Sequence, residues 1–181
     1  AERERSVGLG VMGFHSFLQK HRIPLESVMA KAWNKKIFKQ IDEQVNQASK
    51  DLAEERGACP DAAEYGFQER FSNKTAIAPT ASISIICGGA SPGVEPIAAN
   101  SYTHKTLSGS FNVRNRYLEE ILESHGKNDD ETWSTITTNQ GSVSHLDFLT
   151  DLEKDVFKTA FELNQKWIIE LSGDRTPFIS Q

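Results

Sequence analysis

Cysteine is scarce in this chain. There are two in 181 residues, Cys59 and Cys87, with no CxxC pair and no metal-type spacing, which excludes a disulfide framework and a thiolate metal site. Both read as reduced thiols, Cys59 in a loop and Cys87 at a buried helix end. The five histidines, His15, His21, His104, His125 and His145, form no HxxxH or HxxEH pattern, so no metal is expected. Long apolar runs are absent too: nothing approaches the roughly 18 residues that a membrane span requires. Basic residues do not predominate. Lys and Arg number 20 against 25 Asp and Glu, a formal charge of −5, which argues against a general nucleic-acid or anionic-membrane surface while leaving room for a local basic pocket. The opening AERERSVGLG has no signal-peptide pattern, so a cytoplasmic protein is expected. Repeats, low-complexity tracts and linkers are missing as well, and residues 1–181 read as one domain with enough chain to bury a core.

What is present centres on residues 71–96, FSNKTAIAPTASISIICGGASPGVEP. Ala76, Ile77 and Ala78 read as a buried strand that Pro79 stops, because proline cannot donate to a ladder. Thr80, Ala81 and Ser82 make a small polar step of the kind that begins a helix. Residues 82–87 carry Ile83, Ile85 and Ile86, enough for one or two buried turns, and Gly88, Gly89, Pro92 and Gly93 close them in a loop. The chemistry open to such a turn is anion binding. The first N–H groups of a helix lack intrahelical partners, and small side chains let a phosphate approach them. The plainer alternative is that Thr80 or Ser82 caps the helix and nothing binds.

Along the rest of the chain, Val11, Phe14, Phe17 and Leu18 recur at helical spacing. Gly8, Gly10 and Gly13 match GxGxxG. No βαβ unit with an acid some 20 residues on follows, so close packing is the better reading of these glycines. Ile37, Ile41, Val45, Ala48 and Leu52 predict a long amphipathic helix over residues 25–55, with Lys35, Lys36, Lys39, Asp42 and Glu43 on its solvated face. Residues 57–73 read as a connection, 97–110 as polar and irregular, 114–124 as a helix with Leu118, Ile121 and Leu122 inward, and 126–131 as an exposed turn. Thr150 and Glu153 form a capping box for one last helix carrying Leu152, Val156, Ala160, Leu163, Trp167 and Leu171 inward. Phe161 and Trp167 read as core, Gly173 ends that helix, and residues 176–180 begin a strand. Several helices with few strands, one of them left without partners, point to part of a larger α/β body that is poorly stable or oligomeric by itself.

Residues 75–111, with Pro79-Thr80-Ala81-Ser82-Ile83 and Gly93-Val94-Glu95-Pro96, resemble the C-terminal part of the large, catalytic subunit of ribonucleotide reductases. The likeness extends to residues 5–11, 53–60 and 173–179, nearly the whole chain. It implies a helix-rich C-terminal portion of a ten-stranded α/β barrel, shared in type with glycyl-radical enzymes. It implies reduction of ribonucleoside di- or triphosphates to deoxyribonucleotides for DNA synthesis. Thr80, Ala81, Ser82, Ile83 and Ser84 would bind the substrate phosphates; Ile83 stands where the family has Ser or Thr, leaving a backbone N–H there or passing the hydroxyl's role to Ser84. No catalytic residue is implied for this chain. Neither cysteine matches a family redox cysteine, and the radical cysteine with its Asn and Glu, the paired tyrosines and the C-terminal cysteine pair all fall outside the likeness. The chain alone would then be inactive and bind no cofactor. The radical would come from a di-metal small subunit or from cobalamin, and the partners would be that small subunit and the remainder of the large one. Two other readings stay open: a non-catalytic phosphate- or nucleotide-binding module, and a structural helical domain that binds partners.

Overall fold

The computed structural model describes residues 1–106 and 109–180. Leu107 and Ser108, within the resembling run, and Gln181 lie outside the described residues. In chain order the elements are α1 (Phe14–Lys20), α2 (Val28–Arg56), α3 (Pro60–Glu64), α4 (Ala81–Ile86), β1 (Ser101–Thr106), β2 (Gly109–Arg114), α5 (Arg116–Ser124), α6 (Asp130–Thr138), α7 (Asp151–Val156) and α8 (Gln165–Arg175), followed by a 3₁₀ turn at Thr176–Phe178. They fall into two compact units. The first takes residues 1–11, 31–78 and 168–180, and the second takes residues 12–30 and the described part of 79–167.

In the first unit α2 turns a face inward that is offset from the expected one. Asn34, Phe38, Ser49 and Ala53 are buried, whereas Ile37, Ile41, Val45 and Leu52 are half-buried and Ala48 is exposed. Polar anchors set that rotation. The Asn34 amide donates to the Leu171 carbonyl at 2.8 Å and accepts from Arg175 Nε at 3.0 Å, while the Arg175 guanidinium lies 5.3 Å from the Phe38 ring centre. Burial pushes the Arg175 pKa down to about 10, which still leaves it charged at neutral pH. Ser49 Oγ accepts from the N–H groups of Arg70 and Phe71. A stripe read from apolar residues alone passes over Asn34 and Ser49. The solvated face is as expected at Lys39 and Glu43, an i,i+4 pair at 3.8 Å.

The glycines at 8 and 10 serve close packing. A Cβ on Gly8 would come 3.1 Å from Ala76 Cβ, and one on Gly10 would come 3.1 Å from the Ala76 carbonyl. Between them Leu9 forms a single parallel bridge with Thr75, with Leu9 N–H on the Lys74 carbonyl and Ala76 N–H on the Leu9 carbonyl. The bridge lies at Thr75, the strand expected over Ala76, Ile77 and Ala78 does not form, and those three residues are half-buried or exposed. Residues 176–180 begin as the 3₁₀ turn rather than a strand, because Pro177 fixes φ at its start. Ile179 is extended, and Ser180 then exchanges hydrogen bonds with Thr75. Residues 57–73 hold the short helix α3, which Pro60 opens, and its N-cap Cys59 is buried rather than in an open loop.

The second unit has its core where α5 and α6 meet the chain that follows them. Leu118, Leu122, Trp133, Ile136, Val143, Leu146, Leu149, Val156 and Phe157 form one buried cluster, with Ile121 packed against it. Residues 126–131 are the entry to α6 and not simply a turn. The Asp129 side chain accepts from Thr132 N–H at 2.8 Å, and this hydrogen bond holds its carboxyl below the usual range. The capping box at Thr150 and Glu153 forms as expected, but its helix α7 ends at Val156. Phe157 is buried in the cluster, and the Ala160 N–H leaves the helical path to donate to the Ile97 carbonyl at 2.8 Å, so α7 and α8 are separate. Consequently Leu152 and Phe161 are exposed, Trp167 is half-buried, and Gly173 sits inside α8 instead of ending it.

Residues 101–106 and 109–114, expected to be irregular as far as residue 110, form the two antiparallel strands of a hairpin, pairing Tyr102 with Val113 and His104 with Phe111. Its alternation is hidden in sequence by polar residues on both faces. Two asparagines fasten its open end. Asn115 donates from its backbone to the Asn100 carbonyl and from its side chain to Asn100 Oδ1, and the Asn100 amide donates to the carbonyls of Gly141 and Phe157.

Gly141 permits that junction: its φ is +80°, and a Cβ there would sit 2.3 Å from Ala99 Cβ and 2.8 Å from Asn100 N. Replacing Gly141 with Ala is expected to cost about 2–4 kcal/mol in urea unfolding. Gly126→Ala, at φ +64° with nothing within 4 Å, should cost about 1–2 kcal/mol. His15 generates a pH dependence. It is fully buried, its Nδ1 accepts the Ile97 N–H at 3.0 Å, and burial lowers its pKa to about 4. The unfolded chain thus binds the extra proton first. Stability contributed by neutral His15 is complete above about pH 6.5 and falls as the pH drops towards 4, by at most about 3 kcal/mol. Unfolding midpoints at pH 7 and pH 5 should differ less in His15→Gln than in the parent chain.

Candidate functional site

Pro79 ends the extended segment and α4 begins two residues later. Thr80, its N-cap, has φ +49° and ψ +30°, a left-handed backbone that costs a β-branched residue energy unless surroundings enforce it. The enforcing contact is with the glycine loop: Thr80 Oγ1 accepts the Gly93 N–H at 2.7 Å. Thr80 therefore does not cap α4 with its side chain, and its carbonyl accepts the Ser84 N–H at 2.9 Å to start the helix.

This leaves the N–H groups of Ala81, Ser82 and Ile83 without partners among the described residues, and all three side chains are exposed. The Ser82 hydroxyl is likewise unengaged among the described residues. Ser84 differs: it is buried and its hydroxyl turns back to the Ala81 carbonyl at 3.0 Å. Of the five sequence-derived residues, Ala81, Ser82 and Ile83 are exposed with N–H groups unengaged among the described residues, Thr80 is half-buried with its hydroxyl accepting from Gly93, and Ser84 spends its N–H and hydroxyl within the turn.

The isoleucines expected to bury α4 do the opposite. Ile83, Ile85 and Ile86 are 55%, 47% and 84% exposed, and Cys87 at the helix end is exposed too. With six residues, α4 buries one position, and the spacing gives that position to Ser84. At its far end Gly88 has φ +80°, and a Cβ there would meet the Arg116 guanidinium at 2.9 Å.

The loop after α4 also occupies the start of α1. Gly13 N–H donates to the Ser91 carbonyl, Phe14 N–H to the Gly93 carbonyl and Ser16 N–H to Ser91 Oγ. The N–H groups at the last glycine of the GxGxxG run and in the first turn of α1 are therefore taken by protein. Sequence reasoning missed this connection. Its one signal was Ser91 between a glycine pair and Pro92, which reads equally well as an ordinary loop serine. Among the described residues no group of three or more His, Cys, Asp or Glu could hold a metal ion, and no helix is long and apolar enough to cross a membrane.

Comparison with known proteins agrees along the whole chain. The family described as "Ribonucleotide reductase, barrel domain" matches residues 1–69 and 61–181. The ribonucleoside-diphosphate reductase large subunit of Invertebrate iridescent virus 6 is 47% identical over all of this chain and 19% of its own length. The protein of the same name from Invertebrate iridescent virus 3 is 44% identical over all of this chain and 29% of its own. Among solved structures, the Actinobacillus ureae class Id ribonucleotide reductase alpha subunit superposes with a TM-score of 0.91 at 39% identity, over 99% of this chain and 32% of that one. The chain thus spans about a fifth to a third of the length of these relatives. It belongs to the ribonucleotide reductase barrel-domain family, as a portion of that α/β barrel.

Proposed function

We propose that this chain forms a single partial domain of a ribonucleotide reductase large subunit and contributes the turn that binds the substrate's phosphates. The observation that carries this reading is the end-to-end match to proteins named as that subunit. The turn supports it with chemistry. Three adjacent N–H groups, at Ala81, Ser82 and Ile83, have no partner among the described residues, and the hydroxyls of Thr80 and Ser82 flank them. An anion held there is bound by charge-assisted hydrogen bonds, the stronger kind. Ile83 offers its N–H, and Ser84 holds the turn's shape from within.

The role of this turn is positioning. Fixing the phosphates of a ribonucleoside di- or triphosphate fixes where the ribose lies relative to a radical-bearing group outside this chain. The chain itself supplies no catalytic residue. Its partners are the remainder of the large subunit and a small subunit that generates the radical, in the cytoplasm. Exposed Ile83, Ile85 and Ile86 support the first of these, because an apolar patch of this kind is characteristic of a surface that another segment covers.

Two outcomes test the proposal. The isolated chain should show no reduction of ribonucleotides, and turnover above background would refute its assignment as a non-catalytic portion. In the complete subunit, Ser82→Ala should weaken nucleotide binding by about 1.5–3 kcal/mol, one hydrogen bond to a charged group. Ala81→Leu should weaken it further by blocking backbone approach. Substrate affinity and melting temperature measured together decide between the readings. Lowered stability with unchanged affinity in both variants would make the turn a helix start and nothing more.

A further inference from the structure

We infer that Ser91, paired with Ser16, is a positioning residue that aims the Thr80 hydroxyl at the substrate phosphates; this rests on the phosphate-binding reading of the turn. A threonine hydroxyl has one hydrogen to donate and lone pairs to accept. Thr80 Oγ1 accepts the Gly93 N–H at 2.7 Å. That bond fixes the oxygen, occupies a lone pair and leaves the O–H hydrogen as the group's free donor. A hydroxyl so held can give a hydrogen bond to an anion without first choosing its orientation.

Gly93 can hold Thr80 only if its own amide is fixed, and the fixing comes from Ser91. Ser91 and Ser16 are 1% and 7% exposed and bond each other reciprocally: Ser16 N–H donates to Ser91 Oγ at 3.1 Å, and Ser91 N–H donates to Ser16 Oγ at 2.8 Å. The Ser91 carbonyl takes the Gly13 N–H at 2.8 Å, and two residues on the Gly93 carbonyl takes the Phe14 N–H at 3.4 Å. Residues 91–93 are thereby locked to the first turn of α1 on both sides of Pro92. A backbone amide at Gly93, itself at φ +49°, is left pointing at Thr80. In return it enforces the left-handed backbone of Thr80, which a β-branched residue does not adopt unaided. A loop serine and a helix serine 75 positions apart thus act on one hydroxyl through two intervening bonds.

The test uses the complete large subunit and two probes, a ribonucleoside diphosphate and the same ribonucleoside without phosphate. Ser91→Ala should raise the Kd for the diphosphate on the order of threefold to tenfold, the value of one neutral hydrogen bond, and leave the Kd for the ribonucleoside unchanged. Ser91→Thr, which keeps the hydroxyl, should restore most of the affinity. Ser16→Ala should act in the same direction, and it carries the test should Ser91→Ala fail to fold. In a Thr80→Val background, Ser91→Ala should change diphosphate affinity no further, since its target hydroxyl is gone. An equal loss in that background, a loss shared by both probes, or a lower melting temperature with unchanged Kd would each overturn the inference. Ser82→Ala separates the two levels. If it weakens diphosphate binding and Ser91→Ala does not, the positioning role alone is wrong; if neither does, the phosphate-binding reading fails and the inference with it.

Discussion

The hydrogen bond from Gly93 N–H to Thr80 Oγ1 is the contact on which the turn at residues 79–84 depends. It offsets the left-handed backbone of Thr80, a conformation disfavoured for a residue with two heavy atoms on Cβ. With it, the chain turns sharply after Pro79, and α4 starts with three N–H groups that have no partner among the described residues. The bond in turn needs the loop at residues 91–93 held still, and the first turn of α1 does that by donating to the Ser91 and Gly93 carbonyls and to Ser91 Oγ. Two helix starts close together in this unit have opposite fates: one is filled by protein, and the other is kept open.

Buried polar side chains fix the two units as much as apolar packing does. Asn34 and Arg175 set the rotation of α2 in the first unit, and Asn100 and Asn115 set the base of the hairpin in the second. Such groups are expensive to bury unsatisfied, so each arrangement that satisfies them excludes the neighbouring ones, a one-residue rotation of a helix included. His15 belongs with them. Its neutral ring accepts a backbone N–H in a site from which water is excluded, and burial rather than a nearby charge keeps the proton away.

The surface carries the same logic outwards. The hydroxyl of Ser84 is inside while Ile83, Ile85 and Ile86 are outside, an inversion of the usual order that a six-residue helix with a single inward position permits. Phe161 is outside as well, because the backbone leaves its helical path at residues 157–164 to reach Ile97. Taken by itself, each inversion is a defect in an amphipathic pattern. The relatives are about three to five times as long as the portion this chain matches, and exposed apolar side chains of this kind are characteristic of a surface that further chain covers.

Local chemistry makes much of this chain legible in its sequence. The Thr150–Glu153 capping box, the inward Leu118 and Leu122 and the close approach at Gly8 and Gly10 depend on neighbours in sequence or on the size of one residue. The motif at residues 79–83 and the Gly93–Pro96 run also carried the family resemblance, which the match to the ribonucleotide reductase barrel domain bears out. Tertiary structure alone decided the rest. The hairpin, the rotation of α2, the break between α7 and α8, the exposure of the isoleucines and the clamp from Ser16 through Ser91 and Gly93 to Thr80 each depend on a partner far along the chain. A hydroxyl or an amide reads the same in sequence whether it faces water or a buried carbonyl, and only the fold supplies the partner that decides.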